Sequence, residues 1–204
     1  MSNYSGELDI LLSRGRIALC TKNAMYSYDD LYLNFRTAFD TINIARFKTE
    51  KVLLLGAGLL SVPYILEKLH HKRFSCKAVD IDLAILEAAK KYALSKFNSN
   101  IELICADAGD FILDEKEKYD LIVVDIFIDD KVPSKFETVD FLNMLNNQLT
   151  DNGLVMYNRM SQNDIALKNT ETFYDQCFKA VFLKSEMLQL NGNRMLLGNY
   201  SSKN

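Results

Sequence analysis

Three carboxylates, Asp125, Asp129 and Asp130, fall within six positions of the segment Asp120–Pro133, DLIVVDIFIDDKVP. Asp125 directly follows an apolar run, and Asp129 and Asp130 come just after it. Carboxylates at the exposed end of a central strand mark a candidate ligand site. A second set of residues has the composition of a nucleotide site. Gly56 and Gly58 in LLLGAGLL permit a tight turn and close approach of backbone to a ligand. Asp80 in AVDID, 24 positions after Gly56, has the type and distance of a group that accepts both ribose hydroxyls. Asp107 in CADAGDF is placed to meet an adenine amine, with the backbone of Ala108 beside it. Plainer roles compete. The two glycines also suit an ordinary strand-to-helix turn, Asp82 reads as a helix N-cap, and Asp107 or Asp110 can cap the short helix that follows.

These residues are useful only if elements bring them together, and the chain from Lys51 onward alternates strand and helix. KVLLLG (51–56) is a continuous apolar run, as in a parallel strand covered on both faces. A helix is expected over 60–70, where Pro63 falls in the first turn and loses nothing by lacking an N–H. SCKAVDI (75–81) is the next strand, and 82–94 has the apolar spacing of a helix. IELICA (101–106) and YDLIVVD (119–125) are further strands, 136–149 a helix, GLVMYNR (153–159) a strand, and 168–180 a helix. The apolar runs flanking Asn191, Gly192 and Asn193 then give a hairpin signal. The result is an α/β fold, a mostly parallel sheet ending in an antiparallel hairpin. In such sheets ligands bind beyond the carboxyl ends of the strands, where Asp80, Asp107 and Asp125 all fall.

Residues 1–50 read as a small cap on the nucleotide-binding domain at 51–204. LDILLSRGRIALCT has two β-prone flanks about a turn at Ser13–Gly15, and Leu31, Phe35, Phe39 and Ile42 fit an amphipathic helix. The tyrosine-bearing segment between them also suits a homodimer surface.

Composition removes several classes of function. Lys and Arg total 24 against 27 Asp and Glu, a net charge of -3, so there is no basic footprint for nucleic acid. The two histidines are adjacent and the four cysteines are dispersed, which argues against a zinc site or a histidine-based triad. No leader-like segment and no apolar run near 18 residues is visible, so the expectation is a cytoplasmic protein that meets no membrane and acts on a small molecule.

LLLGAG, AVDID, CADAGDFI and YDLIVVD, at these distances, resemble the class I S-adenosylmethionine-dependent methyltransferase fold, a seven-stranded Rossmann-like sheet. Within it, VDID, the loop DIFIDDKVP and the segment NAMYSYDDLY are similar to spermidine synthase and its relatives. The resemblance implies that Gly56, Gly58, Asp80, Asp107 and Ala108 hold S-adenosylmethionine or its decarboxylated form. It implies that Asp125 is the catalytic aspartate, that Asp129 or Asp130 is the second loop carboxylate, and that Tyr26 or Tyr28 faces the substrate. The implied activity is aminopropyl or methyl transfer to a polar or cationic acceptor; the alternative is a non-catalytic homodimeric relative. One departure bears on that choice. Leu59 and Leu60 stand where the family carries glycine and an aspartate that binds the aminopropyl amine. Arg159 reads as a surface salt-bridge residue.

Overall fold

The computed structural model describes residue 4 and residues 8–20, 25–128 and 131–200. Seven strands form one sheet: β4 (Lys51–Leu55), β5 (Ser75–Asp80), β6 (Asn100–Cys105), β7 (Tyr119–Val124), β8 (Leu149–Met160), β9 (Ser185–Gln189) and β10 (Asn193–Gly198). A separate three-stranded sheet holds β1 (Asp9–Ser13), β2 (Arg16–Cys20) and β3 (Met25–Ser27) in that order. The large sheet runs β6-β5-β4-β7-β8-β10-β9. Pairs from β6 to β8 are parallel, whereas β10 is antiparallel to both β8 and β9. The expected Rossmann-like sheet with its C-terminal hairpin is therefore present.

Burial explains the strand sequences. All six residues of β7 are buried, as are the four that follow Lys51 in β4. These central strands must be apolar on both faces, so they read as runs and not as alternations. Val52, Leu54, Leu121 and Val123 enter one core, together with Phe35, Ala38, Phe39 and Ile42 of α1 (Leu33–Ile42). Leu53, Leu55, Ile122 and Val124 enter the other, with Ile112 of α4 (Ala108–Asp114) and Phe141, Leu142 and Leu145 of α5 (Val139–Asn147).

The first crossover helix, α2 (Ser61–Tyr64), widens into a π-type turn over Ile65–Leu69. α3 (Leu83–Tyr92) starts at an Asp82 cap, whose side chain accepts the Ala84 N–H at 3.0 Å. α6 (Asp164–Phe173) begins earlier than the apolar spacing indicated, because Asn163 accepts the Ala166 N–H at 2.9 Å and fixes the start there. Likewise Thr138 caps α5, so that helix starts at Val139 and not at 136.

Polar contacts tie the N-terminal segment to the helical elements that cover the large sheet. The Ser27 and Ser61 hydroxyls lie 2.5 Å apart, and the Tyr28 N–H donates to Ser61 Oγ at 2.9 Å. Asp29 and Asp30 are both buried. Lys96 pairs with Asp29 at 2.9 Å, and Arg16 pairs with Asp30. Much of the tyrosine-bearing segment thus makes contacts within the chain.

Candidate active site

The sheet order reverses direction between β4 and β7, and the chain leaves these strands at Gly56 and Asp125. Each continues its neighbour's ladder for one more bond: the Gly56 N–H donates to Val79 O at 2.9 Å and the Asp125 N–H to Leu55 O at 2.8 Å. Gly56 has φ +93°, and a Cβ there would lie 2.1 Å from the carbonyl oxygen of Asp125. Only glycine fits, for both conformational and steric reasons. Gly58 has φ +48°, and a Cβ there would lie 2.9 Å from Tyr26 O, because β3 runs directly over the turn. Leu59 and Leu60 point inward and are fully buried. Leu60 adopts φ 63°, a left-handed conformation unfavourable for leucine, and its side-chain burial offsets the strain.

Asp80 ends β5 beside this turn. One carboxylate oxygen accepts the Ala57 N–H at 3.0 Å and the other the Asp82 N–H at 3.0 Å. Burial raises its pKa, and these amide donors oppose the rise. Each oxygen retains acceptor capacity for a further hydroxyl. Asp107 caps α4, accepting the Gly109 N–H at 2.9 Å, and pairs with Lys135. Burial works against its ionisation, but Lys135 and the α4 amides outweigh that and hold its carboxyl below the usual range. Capping and cavity lining coexist here, so the two readings of Asp107 are not exclusive.

Asp125 is gripped from two sides. Tyr32 donates to Oδ2 at 2.9 Å and Asn158 Nδ2 donates to Oδ1 at 2.9 Å. Asn193 Nδ2 in turn donates to Asn158 Oδ1 at 2.9 Å. Burial pushes the Asp125 carboxyl up to about 6, and the two donors pull against it. Burial and the adjacent carboxylate also raise the Tyr32 hydroxyl well above its ordinary value, so it stays a donor.

These residues line one cavity of about 320 Å³ at the carboxyl ends of β4, β5, β6 and β7. Asp80, Asp82, Asp107 and Asp125 all reach it, as do Gly56, Gly58, Ala108 and Tyr26. Tyr28 does not: its hydroxyl donates to Ser13 Oγ at 3.0 Å, toward β1. Asp129 and Asp130 lie outside the described residues. Leu59 and Leu60 are absent from the lining, so they do not fill the cavity. Lys135 is the one basic side chain among the described lining residues, and it is paired with Asp107.

Tyr32, Asn158, Asn193 and Lys135 were not singled out from the sequence. Tyr32 lay within the tyrosine-bearing segment, and Asn193 read simply as a turn residue. Asn158 had a usable signal: an amide closing an otherwise apolar strand needs a partner. The surface reading of Arg159 is corrected. It is 5% exposed, pairs with Glu137, and sits 4.8 Å from the Phe173 ring, because alternation along β8 turns it into the packed face opposite Asn158.

Known proteins are similar to this chain in sequence and in fold. The Spermine/spermidine synthase domain family profile matches residues 40–189. A polyamine aminopropyltransferase of Vibrio vulnificus (strain CMCP6) is 27% identical over 158 residues, 76% of this chain and 52% of the relative. Polyamine aminopropyltransferase 2 of Aquifex aeolicus (strain VF5) is 29% identical over 147 residues, 61% of this chain and 29% of the relative. The chain thus spans about half the length of the first and less of the second. In fold, it is similar to a probable spermidine synthase from Corynebacterium glutamicum ATCC 13032. The TM-score is 0.77 over 100% of this chain and 81% of that one, at 16% identity. Human methyltransferase-like protein 13, solved in complex with SAH, gives a TM-score of 0.66 over 82% of each chain at 22% identity.

Proposed function

Since the chain belongs to the spermine/spermidine synthase domain family, we propose that it is a transferase that binds an S-adenosylmethionine-type sulfonium nucleoside and alkylates a small amine. The observation that carries this reading is Asp125. It is a half-buried carboxylate whose pKa is pushed up to about 6, held by Tyr32 and Asn158 in the same cavity as the Gly56–Gly58 turn and Asp80.

The residues present suit such a nucleoside. Asp80 would hold the ribose hydroxyls with the acceptor capacity left on its two oxygens, and Asp107 with the Ala108 backbone would face the adenine edge. When bound, the sulfonium supplies an electrophilic carbon whose bond to sulfur breaks to leave a neutral thioether. Asp125, mostly ionised at pH 7, attracts the acceptor's ammonium form and takes its proton, which frees the nitrogen lone pair to form the new C–N bond. The Tyr32 and Asn158 donors fix the orientation of its carboxylate, so positioning supplies much of the rate. Asp129 or Asp130 would hold the acceptor's far end, and Tyr26 would line its path.

The acid-rich lining favours the decarboxylated nucleoside, and hence aminopropyl transfer. Among the described lining residues, four aspartates and one already paired lysine offer no free cation for an amino-acid carboxylate. Methyl transfer is the second reading, favoured by Leu59 and Leu60, which leave the turn without an acid for an aminopropyl ammonium. The open, acid-lined cavity argues against a purely structural role. Incubation of the protein with either nucleoside and a series of diamines tests this. Aminopropyl transfer releases methylthioadenosine, methyl transfer releases S-adenosylhomocysteine, and release of neither from any pairing contradicts the proposal.

A further inference from the structure

Behind the cavity, on the opposite face of β8, lies a groove of about 600 Å³ between α6 and residues 131–137. It adjoins the first cavity through Phe127 and Met160, which line both. Arg159 lines it and carries a permanent charge at a site where only 5% of the residue is exposed. A buried guanidinium is costly unless its donors are used. Here the use is incomplete. Phe173 covers one face at 4.8 Å and Glu137 pairs with Nη1, but Nε has no hydrogen-bond partner among the described residues.

Two further features of the groove favour negative charge. Asn163 and Ala166 bring the N-terminus of α6 to it, the positive end of the helix dipole. Lys131 stands on the other wall. Against these cations, one acid among the described residues lines the groove, Glu137, which already leans on Arg159. A guanidinium with an open donor, a helix N-terminus and a lysine together suit a planar or tetrahedral oxyanion.

We propose that this groove binds a compact oxyanion group, carboxylate or phosphate, of a small molecule, with Arg159 as its principal donor and Glu137 as the group that competes for that donor. The site stands apart from the sulfonium-nucleoside reading and holds even if no transferase activity is found.

Inorganic phosphate and acetate are the probes, titrated against the full chain while the Arg159 Nε–H resonance is followed by NMR. A saturable shift of that resonance with either anion is expected. Glu137→Gln, a change at a half-buried surface position, removes the competitor and should tighten binding about tenfold. The double change Glu137→Gln and Arg159→Gln, checked for folding by circular dichroism, should abolish it. An unmoved Nε–H signal in the unaltered protein overturns the proposal, as does an affinity that Glu137→Gln leaves unchanged. The first of these requires no variant to fold.

Discussion

The hydroxyl of Tyr32 lies 2.9 Å from Oδ2 of Asp125, although the two residues are 93 positions apart. Tyr32 immediately precedes α1 and Asp125 immediately follows β7, so one hydrogen bond joins the N-terminal segment to the centre of the sheet. The residue proposed to handle the proton is therefore oriented in part by a segment outside the seven-stranded sheet.

Removing that donor should change both the titration and the stability of the site. A Tyr32→Phe protein keeps the ring packing against Phe35 but leaves Oδ2 short of a donor to its charged form. The Asp125 pKa is expected to rise from about 6 by roughly one, because a hydrogen bond to a charged group contributes about 1.5 kcal/mol or more. Carbon-detected NMR of the aspartate carboxyls measures this directly, and an unchanged titration would show that the hydroxyl does not stabilise the anion.

The Asp125 carboxyl also links stability to pH. Its folded pKa, about 6, lies above the ordinary 3.8, so the folded protein binds more protons than the unfolded chain between those values. Its contribution is fully present below pH 4 and is lost as the pH rises through 6, at most about 3 kcal/mol. Asp125→Asn removes that dependence. Urea melts from pH 4 to 8 should show the variant gaining on the unaltered protein as pH rises, whatever constant offset the amide brings. In catalysis the sign is reversed: a rate that depends on ionised Asp125 increases through pH 6 and then levels.

Gly56 and Gly58 should respond differently to the same methyl group. Gly56→Ala places Cβ 2.1 Å from backbone Asp125 O at φ +93° and is expected to cost more than about 3 kcal/mol. Gly58→Ala, at φ +48° and 2.9 Å from Tyr26 O, is expected to cost about 1–2 kcal/mol and to loosen β3. Denaturant unfolding of both variants checks the order.

Leu60 sets two effects against each other. Leu60→Gly relieves about 1–2 kcal/mol of left-handed strain but deletes a fully buried side chain worth about 2–5 kcal/mol. Packing should win, leaving the variant less stable by about 1–3 kcal/mol in the same unfolding experiment. A more stable variant would mean that Leu60 is tolerated in the turn and not required by it.

How much of this could be read from the sequence varies by residue. Continuous apolar runs such as LIVV and VLLL announced parallel strands because burial on both faces leaves no other pattern. Asp80, Asp107 and Asp125 were legible as acids ending strands, and the sheet order gathers them at one edge. Helix starts were missed where a polar cap sets the boundary, Asn163 ahead of the expected start and Thr138 behind it. Tyr32, Asn158 and Asn193 were missed because their value lies in meeting one another across the fold. The amide at Asn158 signalled the need for a partner, but no local pattern showed which residue, 93, 33 or 35 positions away, each of the three would meet. The burial of Arg159 was hidden for a similar reason, since its acid and its aromatic neighbour come from different elements.

The central claim is that the cavity beside Asp80 binds a sulfonium or thioether nucleoside. Calorimetric titration with S-adenosylmethionine, its decarboxylated form and methylthioadenosine, repeated on Asp80→Ala, tests it most directly. Binding near micromolar, about 8 kcal/mol, is predicted for at least one of them, strongest for the decarboxylated form and weakened at least tenfold in the variant. Absence of binding by all three, or binding that Asp80→Ala leaves untouched, would contradict it.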